Sequence, residues 1–248
     1  MEVHSHSHNH GDKNWKTYFW EFIMLFLAVF SGFLAENYRE HFVEHEREKQ
    51  YMESMIEDLK MDTARISKMI FDSDKNLIRI DSLIHLFRRK DYNQYGQTMY
   101  YFARDITATA SRFELEDRTY EQMKSSGSLR LISNAMVSDS VSKYYSEQST
   151  FKQQEEIQVY RMNLYSDLAG RVFDAAVFQE MVQKFPYKVH PPLGNPQLLT
   201  SDRVIINEYL GRLHYFFAIV AINCSSVKRK KNATLRLIQL LQNKYRLD

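Results

Sequence analysis

The sequence predicts an all-α protein, an N-terminal transmembrane helix continuing into an antiparallel bundle or coiled coil of long helices. Three observations predict it. A near-continuous apolar run, Tyr18 to Ala35, stands close to the start. Downstream, apolar residues recur at alternating steps of four and three, the spacing of a helical stripe. Seven glycines and four prolines are few for 248 residues, and the prolines gather in one loop, Phe185–Pro196.

Residues 1–14 form a His-rich head, predicted to be flexible. His4, His6, His8 and His10 alternate with Ser and Asn. Neutral imidazoles at that density bind zinc, copper or nickel, and a mobile peptide can wrap an ion without a preformed cage. The competing reading is a solvated tail, because no acidic or Cys partner stands nearby.

The span is assigned to residues 15–38. A spanning helix needs about 20 mainly apolar residues, which this run supplies if Glu21 sits at headgroup level. Trp15, Tyr18, Trp20 and Tyr38 flank it, as amphipathic rings do at membrane interfaces. Val29-Phe-Ser31 is a poor cleavage site, so an uncleaved anchor is expected rather than a signal peptide. Lys13 and Lys16 on one side face Arg39, Arg47 and Lys49 on the other, so the positive-inside rule does not decide orientation. The favoured arrangement leaves the N-terminus in the cytoplasm. Ala28 and Gly32, four apart, would let two such helices approach closely.

Residues 39–90 read as one long helix. Met52, Ile56, Leu59, Thr63, Ile66, Ile70, Ser73, Leu77, Ile80, Ile84 and Phe87 form a seam of about five heptads with charged flanks. It could pair with a second copy or face the core of its own bundle; matching stripes in later segments favour the bundle. Residues 91–248 complete that bundle. Asp91–Gly96 reads as a turn, with helices near 97–107 and 112–125 following. Gly127 is placed at a helix end, and Ser133 or Asn134 caps the next helix. That helix is predicted over 135–183. After the proline-rich loop, Thr200 or Ser201 caps a last helix, 201–246, whose apolar stretch Tyr215–Ile222 is too short to be a second span.

Several constellations carry residue types found in functional sites. His41-Phe-Val-Glu-His45 matches H-x-x-E-H, in which two histidines one turn apart hold zinc and Glu activates water; it lies on a charged helix without a third ligand, so a solvated face explains it better. Lys228-Arg-Lys-Lys231 could meet phosphate groups, yet the apolar stripe continues beyond it, and a solvated face is again preferred. Asn223 and Asn232 match the glycosylation pattern on a helix and carry little weight. Cys224, the lone cysteine, cannot form an intramolecular disulfide and packs as a small apolar residue. A net charge of +2 implies no nucleic-acid partner.

Ala35-Glu-Asn37 at the end of the span, Glu57-Asp-Leu-Lys60, Lys124-Ser-Ser-Gly-Ser-Leu-Arg-Leu-Ile132, Tyr144-Tyr145 and the closing Tyr245-Arg-Leu-Asp248 resemble an uncharacterised family of single-pass membrane proteins common in Bacteroidota. The resemblance covers most of the chain and implies an inner-membrane protein of a Gram-negative bacterium; the bulk is placed in the periplasm by the favoured orientation alone. It carries no site residue. The expected function is a non-enzymatic, membrane-anchored interaction, scaffold or sensor-like module, partnered by the bilayer and by a second copy or another membrane protein. The alternatives are a metal-handling protein using the His tract and, more remotely, a membrane-tethered hydrolase. No catalytic residue and no cofactor beyond the metals named above are assigned.

Overall fold

The computed structural model describes residues 15–108 and 115–247. Seven α-helices account for most of them: α1 (Trp15–Arg88), α2 (Gly96–Ala108), α3 (Arg118–Ser125), α4 (Ala135–Ser146), α5 (Gln148–Val172), α6 (Ala175–Glu180) and α7 (Arg203–Tyr245). A two-residue hairpin, β1 (Val182–Gln183) against β2 (Lys188–Val189), is antiparallel. The molecule is all-α in class. By packing it divides into two units, Met1–Gln50 and Tyr51–Asp248.

The first unit is the leading part of α1. Its apolar window has a mean hydropathy of 1.8 and none of it is buried. Phe22, Phe26 and Phe30 stack along one face, with ring centroids 6.3 and 5.7 Å apart. Helix α7 also passes a length-and-composition test for a membrane span, at a hydropathy of 1.2, but a third of its window is buried. Tyr209, Leu213, Phe216, Val220 and Cys224 lie in the bundle interior, which is how a core helix acquires an apolar stripe.

In the second unit, the part of α1 after Tyr51 runs antiparallel to α7. Met52, Met55 and Leu59 share one core cluster with Leu237, Ile238 and Leu241, together with Met123 of α3 and Val137, Val141, Tyr144 and Tyr145 of α4. At the other end Ile80, Leu83 and Phe87 meet Tyr209, Leu213 and Phe216, with Tyr100 and Ala103 of α2 and Tyr165 of α5. A bundle core, rather than a two-stranded seam, receives the α1 stripe.

That stripe differs from the expected one in a regular way. Met52, Ile56, Leu59, Ile66, Ile80 and Phe87 are buried as expected, but Asp62, Asn76 and Leu83 are buried in place of Thr63, Leu77 and Ile84, the residue after each, and Met55 and Asp58 join the interior beside Ile56 and Leu59. The helix is turned slightly, and three polar side chains, Asp58, Asp62 and Asn76, lie inside while Thr63 and Leu77 sit at the margin.

The helix expected over 135–183 is three helices. It is interrupted at Glu147 and again at Phe173, which is extended at φ −117°, ψ 143°. The second break has a clear cause. Phe173 leaves the helical path to enter an aromatic box formed by Tyr100, Phe178, Tyr209 and Phe87, and Asp174 then caps α6 through Ala176 N–H at 2.8 Å. Asn134 caps α4 as anticipated, and Gly127 is left-handed at φ 69° beyond α3. The cap of α7 is Asp202, accepting from Val204 N–H at 2.7 Å, in place of Thr200 or Ser201; Thr200 instead accepts from Asp202 N–H. Residues 115–117, expected to be helical, are not.

The turn before α2 is a 3-10 segment, Tyr92–Tyr95. Gly96 then begins α2 with ordinary helical angles, so its small size matters rather than its freedom. A Cβ there would stand 2.0 Å from the Pro196 carbonyl oxygen and 2.9 Å from Asn195 Oδ1. The proline-rich loop is docked directly onto that backbone, and Tyr100 Oη donates to the Gln197 carbonyl.

Candidate functional site

The densest polar constellation lies between α1, α3, α4 and α7. Asp58 and Asp62, one turn apart on α1, are both fully buried. Burying a carboxylate is costly unless it is paired and hydrogen-bonded, and here each oxygen has a partner. Asp58 Oδ1 accepts from Arg118 at 2.7 Å, and Oδ2 accepts from Thr119 N–H and from the Thr119 hydroxyl. Asp62 Oδ1 accepts from Glu116 N–H at 2.7 Å, and Oδ2 from the Tyr144 hydroxyl at 3.1 Å. The two aspartates tie down the start of α3 and the strand of chain before it, where no helical hydrogen bonds are available.

The chain of contacts continues into α7. Tyr144 Oη lies 3.1 Å from Thr234 Oγ1, which also donates to the Lys230 carbonyl at 2.9 Å. Each hydroxyl has one hydrogen, so Tyr144 donates to Asp62 while Thr234 divides its proton between Tyr144 and Lys230. Lys230 itself is 2 % exposed. Its ammonium donates to the Tyr144 carbonyl and lies 3.5 Å from Glu147 Oε2. It also sits 3.4 Å from the centroid of the Tyr144 ring, a cation–π contact strengthened by desolvation.

Burial is the main influence on three of these groups. It raises Asp62 to about 6, opposed by the hydrogen bonds from Glu116 and Tyr144. It lowers Lys230 to about 8, opposed by Glu147. It pushes the Tyr144 phenol far above its usual range, helped by the charge of Asp62. The arrangement can therefore hold or share a proton and set helix register, but its groups are spent on one another. Nothing in it pairs a free nucleophile with a base.

A second cluster, at the aromatic end, is neutral. Tyr209 Oη donates to Tyr165 Oη at 2.9 Å, and Tyr165 donates to the Ala103 carbonyl at 3.0 Å. Tyr100 Oη accepts from Asp174 N–H at 2.8 Å. Between the ends, Arg79 and the largely buried Asp105 pair at 2.6 Å, joining α1 to α2.

The residues singled out in the sequence are placed as follows. His4, His6, His8 and His10 lie outside the described residues. Among the described residues no group of three His, Cys, Asp or Glu side chains is arranged to hold a metal; His41 is exposed, and His45 lies 3.5 Å from Glu48. The basic run is a solvated face except at Lys230, with Lys228 and Arg229 exposed and Lys231 partly so. Lys228 pairs with Asp74 at 2.8 Å, Arg229 donates to Ser226, and Lys230 is interior. Asn223 donates to Gln158 Oε1 at 2.7 Å. Cys224 is buried, with its thiol 3.4 Å from Asp74 Oδ1. Asp58, Asp62 and Tyr144 were missed as a group, since nothing in their spacing links positions from distant parts of the chain.

A cleft of about 590 Å³ lies beside this constellation, lined by Asp117, Tyr120, Glu121, Lys124, Tyr145 and Lys152 among others. Tyr120 and Tyr145 stack there with centroids 4.2 Å apart. Its charges are mixed, and Lys124 is already paired with Glu121 at 3.0 Å. No protein-family model, curated protein or solved structure matches the chain.

Proposed function

We propose that this protein is a non-enzymatic, single-pass membrane module of the bacterial inner membrane, a scaffold or sensor-like subunit whose helical bundle engages a second copy or another membrane protein. Membership of the Bacteroidota family it resembles belongs to the same proposal, as does a cytoplasmic N-terminus with the bundle in the periplasm. One observation carries the anchor. The apolar window of α1 has no buried residue, and so large a contiguous apolar surface is the mark of a membrane or partner contact. Helix α7 is explained without a bilayer, because its stripe is used in the core. The interior charges at Asp58, Asp62 and Lys230 support the non-enzymatic reading, being hydrogen-bonded to their neighbours rather than convergent on an open pocket.

The test is extraction of membranes with alkaline carbonate. The full chain should stay with the lipid, and a variant lacking residues 15–38 should be released. Release of the full chain would overturn the anchor. Mild crosslinking in membranes should give a dimer or a defined heteromeric product, and an exclusively monomeric chain would overturn the interaction role. A periplasm-dependent reporter fused after Asp248 should be active; silence there, with a cytoplasmic reporter active, reverses the orientation.

A further inference from the structure

At the aromatic end of the bundle, α1 finishes and α7 begins beside each other. A cleft of about 700 Å³ lies there, within the usual range of small-ligand sites, roughly 300–1,000 Å³. Its walls are Arg88, Arg89, Lys90 and Arg203 together with Ser201 and Asn207, over apolar side chains that include Phe87, Val204 and Leu210. No acidic side chain lines it.

The nearby acids are committed elsewhere. Asp91 is paired with Arg89 at 2.9 Å, Asp202 caps Val204 N–H, and Glu208 pairs with Arg171 at 3.2 Å. Among the described residues Arg88, Lys90 and Arg203 have no ion-pair partner.

Helix electrostatics explains part of this cluster and not the rest. Cations at the C-terminal end of α1 are favourable there, where the helix presents partial negative charge. Arg203 is the reverse. It is the first residue of a 43-residue helix that has no acid in its first turn, at the end where partial positive charge disfavours a cation. It also shares the cleft with Arg88 and Lys90, while the charge of Arg89 is offset by Asp91. Gathering these cations costs self-repulsion that a bound anion relieves. Because Asp202 already occupies the helix end, the anion would be held by the side chains rather than by the backbone. The apolar wall beneath them selects an anion with an apolar body over a bare ion.

We propose that this cleft binds a small amphiphilic anion, its phosphate or carboxylate held by Arg88, Lys90 and Arg203 and its apolar part lying on Phe87, Val204 and Leu210. The inference does not rest on the anchor, since the cleft is built wholly from the bundle. Phosphate and carboxylate headgroups share the required chemistry, and their source is either a dissolved amphiphile or lipid.

The experiment uses the full chain in nanodiscs of zwitterionic phosphatidylcholine, with hexyl phosphate, inorganic phosphate and hexanol as probes. Binding is followed by calorimetry, and hydrogen exchange reports backbone protection. Hexyl phosphate should bind and protect residues 87–92 and 201–207. Its affinity should fall roughly tenfold or more in R88Q/R203Q, as expected for lost charge-assisted contacts. Inorganic phosphate and hexanol should each bind at least roughly tenfold more weakly. Both substituted residues are exposed, so the variant should fold. Equal affinity for inorganic phosphate or hexanol, binding unchanged in R88Q/R203Q, or protection elsewhere would overturn the proposal. Nanodiscs containing an anionic lipid distinguish the source: protection of the same residues without added probe identifies lipid, and its absence identifies a dissolved ligand.

Discussion

The two ends of the bundle bury polar groups in opposite ways. The aromatic end uses phenols: Tyr165 and Tyr209 are fully buried, neutral, and hydrogen-bonded to each other and to the Ala103 carbonyl. The other end uses ions: Asp58, Asp62 and Lys230 are interior and held by Arg118, Tyr144 and Glu147. Neutral hydroxyls satisfied in place cost little and are indifferent to pH near neutrality. Ionised groups carry a desolvation penalty that changes with their protonation. One end therefore gives stability that is constant with pH, while the other makes stability depend on it.

The largest effect expected is at the aromatic end. Phe173→Ala should cost about 3–5 kcal/mol, because the ring is fully buried among Tyr100, Phe178 and Tyr209. Urea denaturation in a non-ionic detergent measures it, and a loss below about 1 kcal/mol would mean that the box collapses to fill the gap. At the ionic end, Asp58→Ala should cost about 3 kcal/mol, leaving Thr119 N–H and its hydroxyl without an acceptor. Asp58→Asn should recover part of this loss by keeping one acceptor oxygen.

The third prediction concerns pH. Asp62 is raised to about 6 in the folded chain from an ordinary value of 3.8, so folding favours its protonated form. Its contribution to stability is complete below pH 4 and is lost as pH rises through 6, a fall on the order of 3 kcal/mol. Lys230 is lowered to about 8 from 10.5, so folding favours the neutral amine, and stability is regained as pH rises from 8 through 10.5. The ionic end should thus be weakest between pH 6 and 8. Subtracting the profile of Asp62→Asn from that of the parent should isolate the acid limb, and a flat difference curve would refute it. The smallest effect is Tyr209→Phe, about 1 kcal/mol and the same from pH 5 to 9, since only one neutral hydrogen bond is removed.

How much of this was legible in the chain follows the same division. The four-and-three spacing of α1 and α7 located both long helices and half of the true stripe, because apolar burial leaves a periodic trace. Asp58 and Asp62 read as part of the charged flank, since a single sequence gives no sign that a carboxylate at 62 will meet Tyr144 more than eighty residues later. Lys230 was hidden in a run of four bases that looks uniformly solvated, although only that one residue points inward. The break at Phe173 was hidden because an apolar residue at helical spacing reads as helix, whatever tertiary pocket it fills. Asp174, a strong cap former, was the local signal available. The cap of α7 was missed by one or two residues, the usual uncertainty of helix ends.

Lys230 also makes the bundle self-reporting. An amine-reactive reagent needs an uncharged amine and a route to it. The lowered proton affinity supplies the first at mildly alkaline pH, while α4 and α7 deny the second. Lys228, two residues away with its side chain half exposed, should be modified in the folded chain. Lys230 should be modified only when α4 and α7 part. The ratio of labelling at these neighbouring lysines is then a clock for opening of the ionic end, readable by mass spectrometry with no reagent beyond the label and no substituted residue.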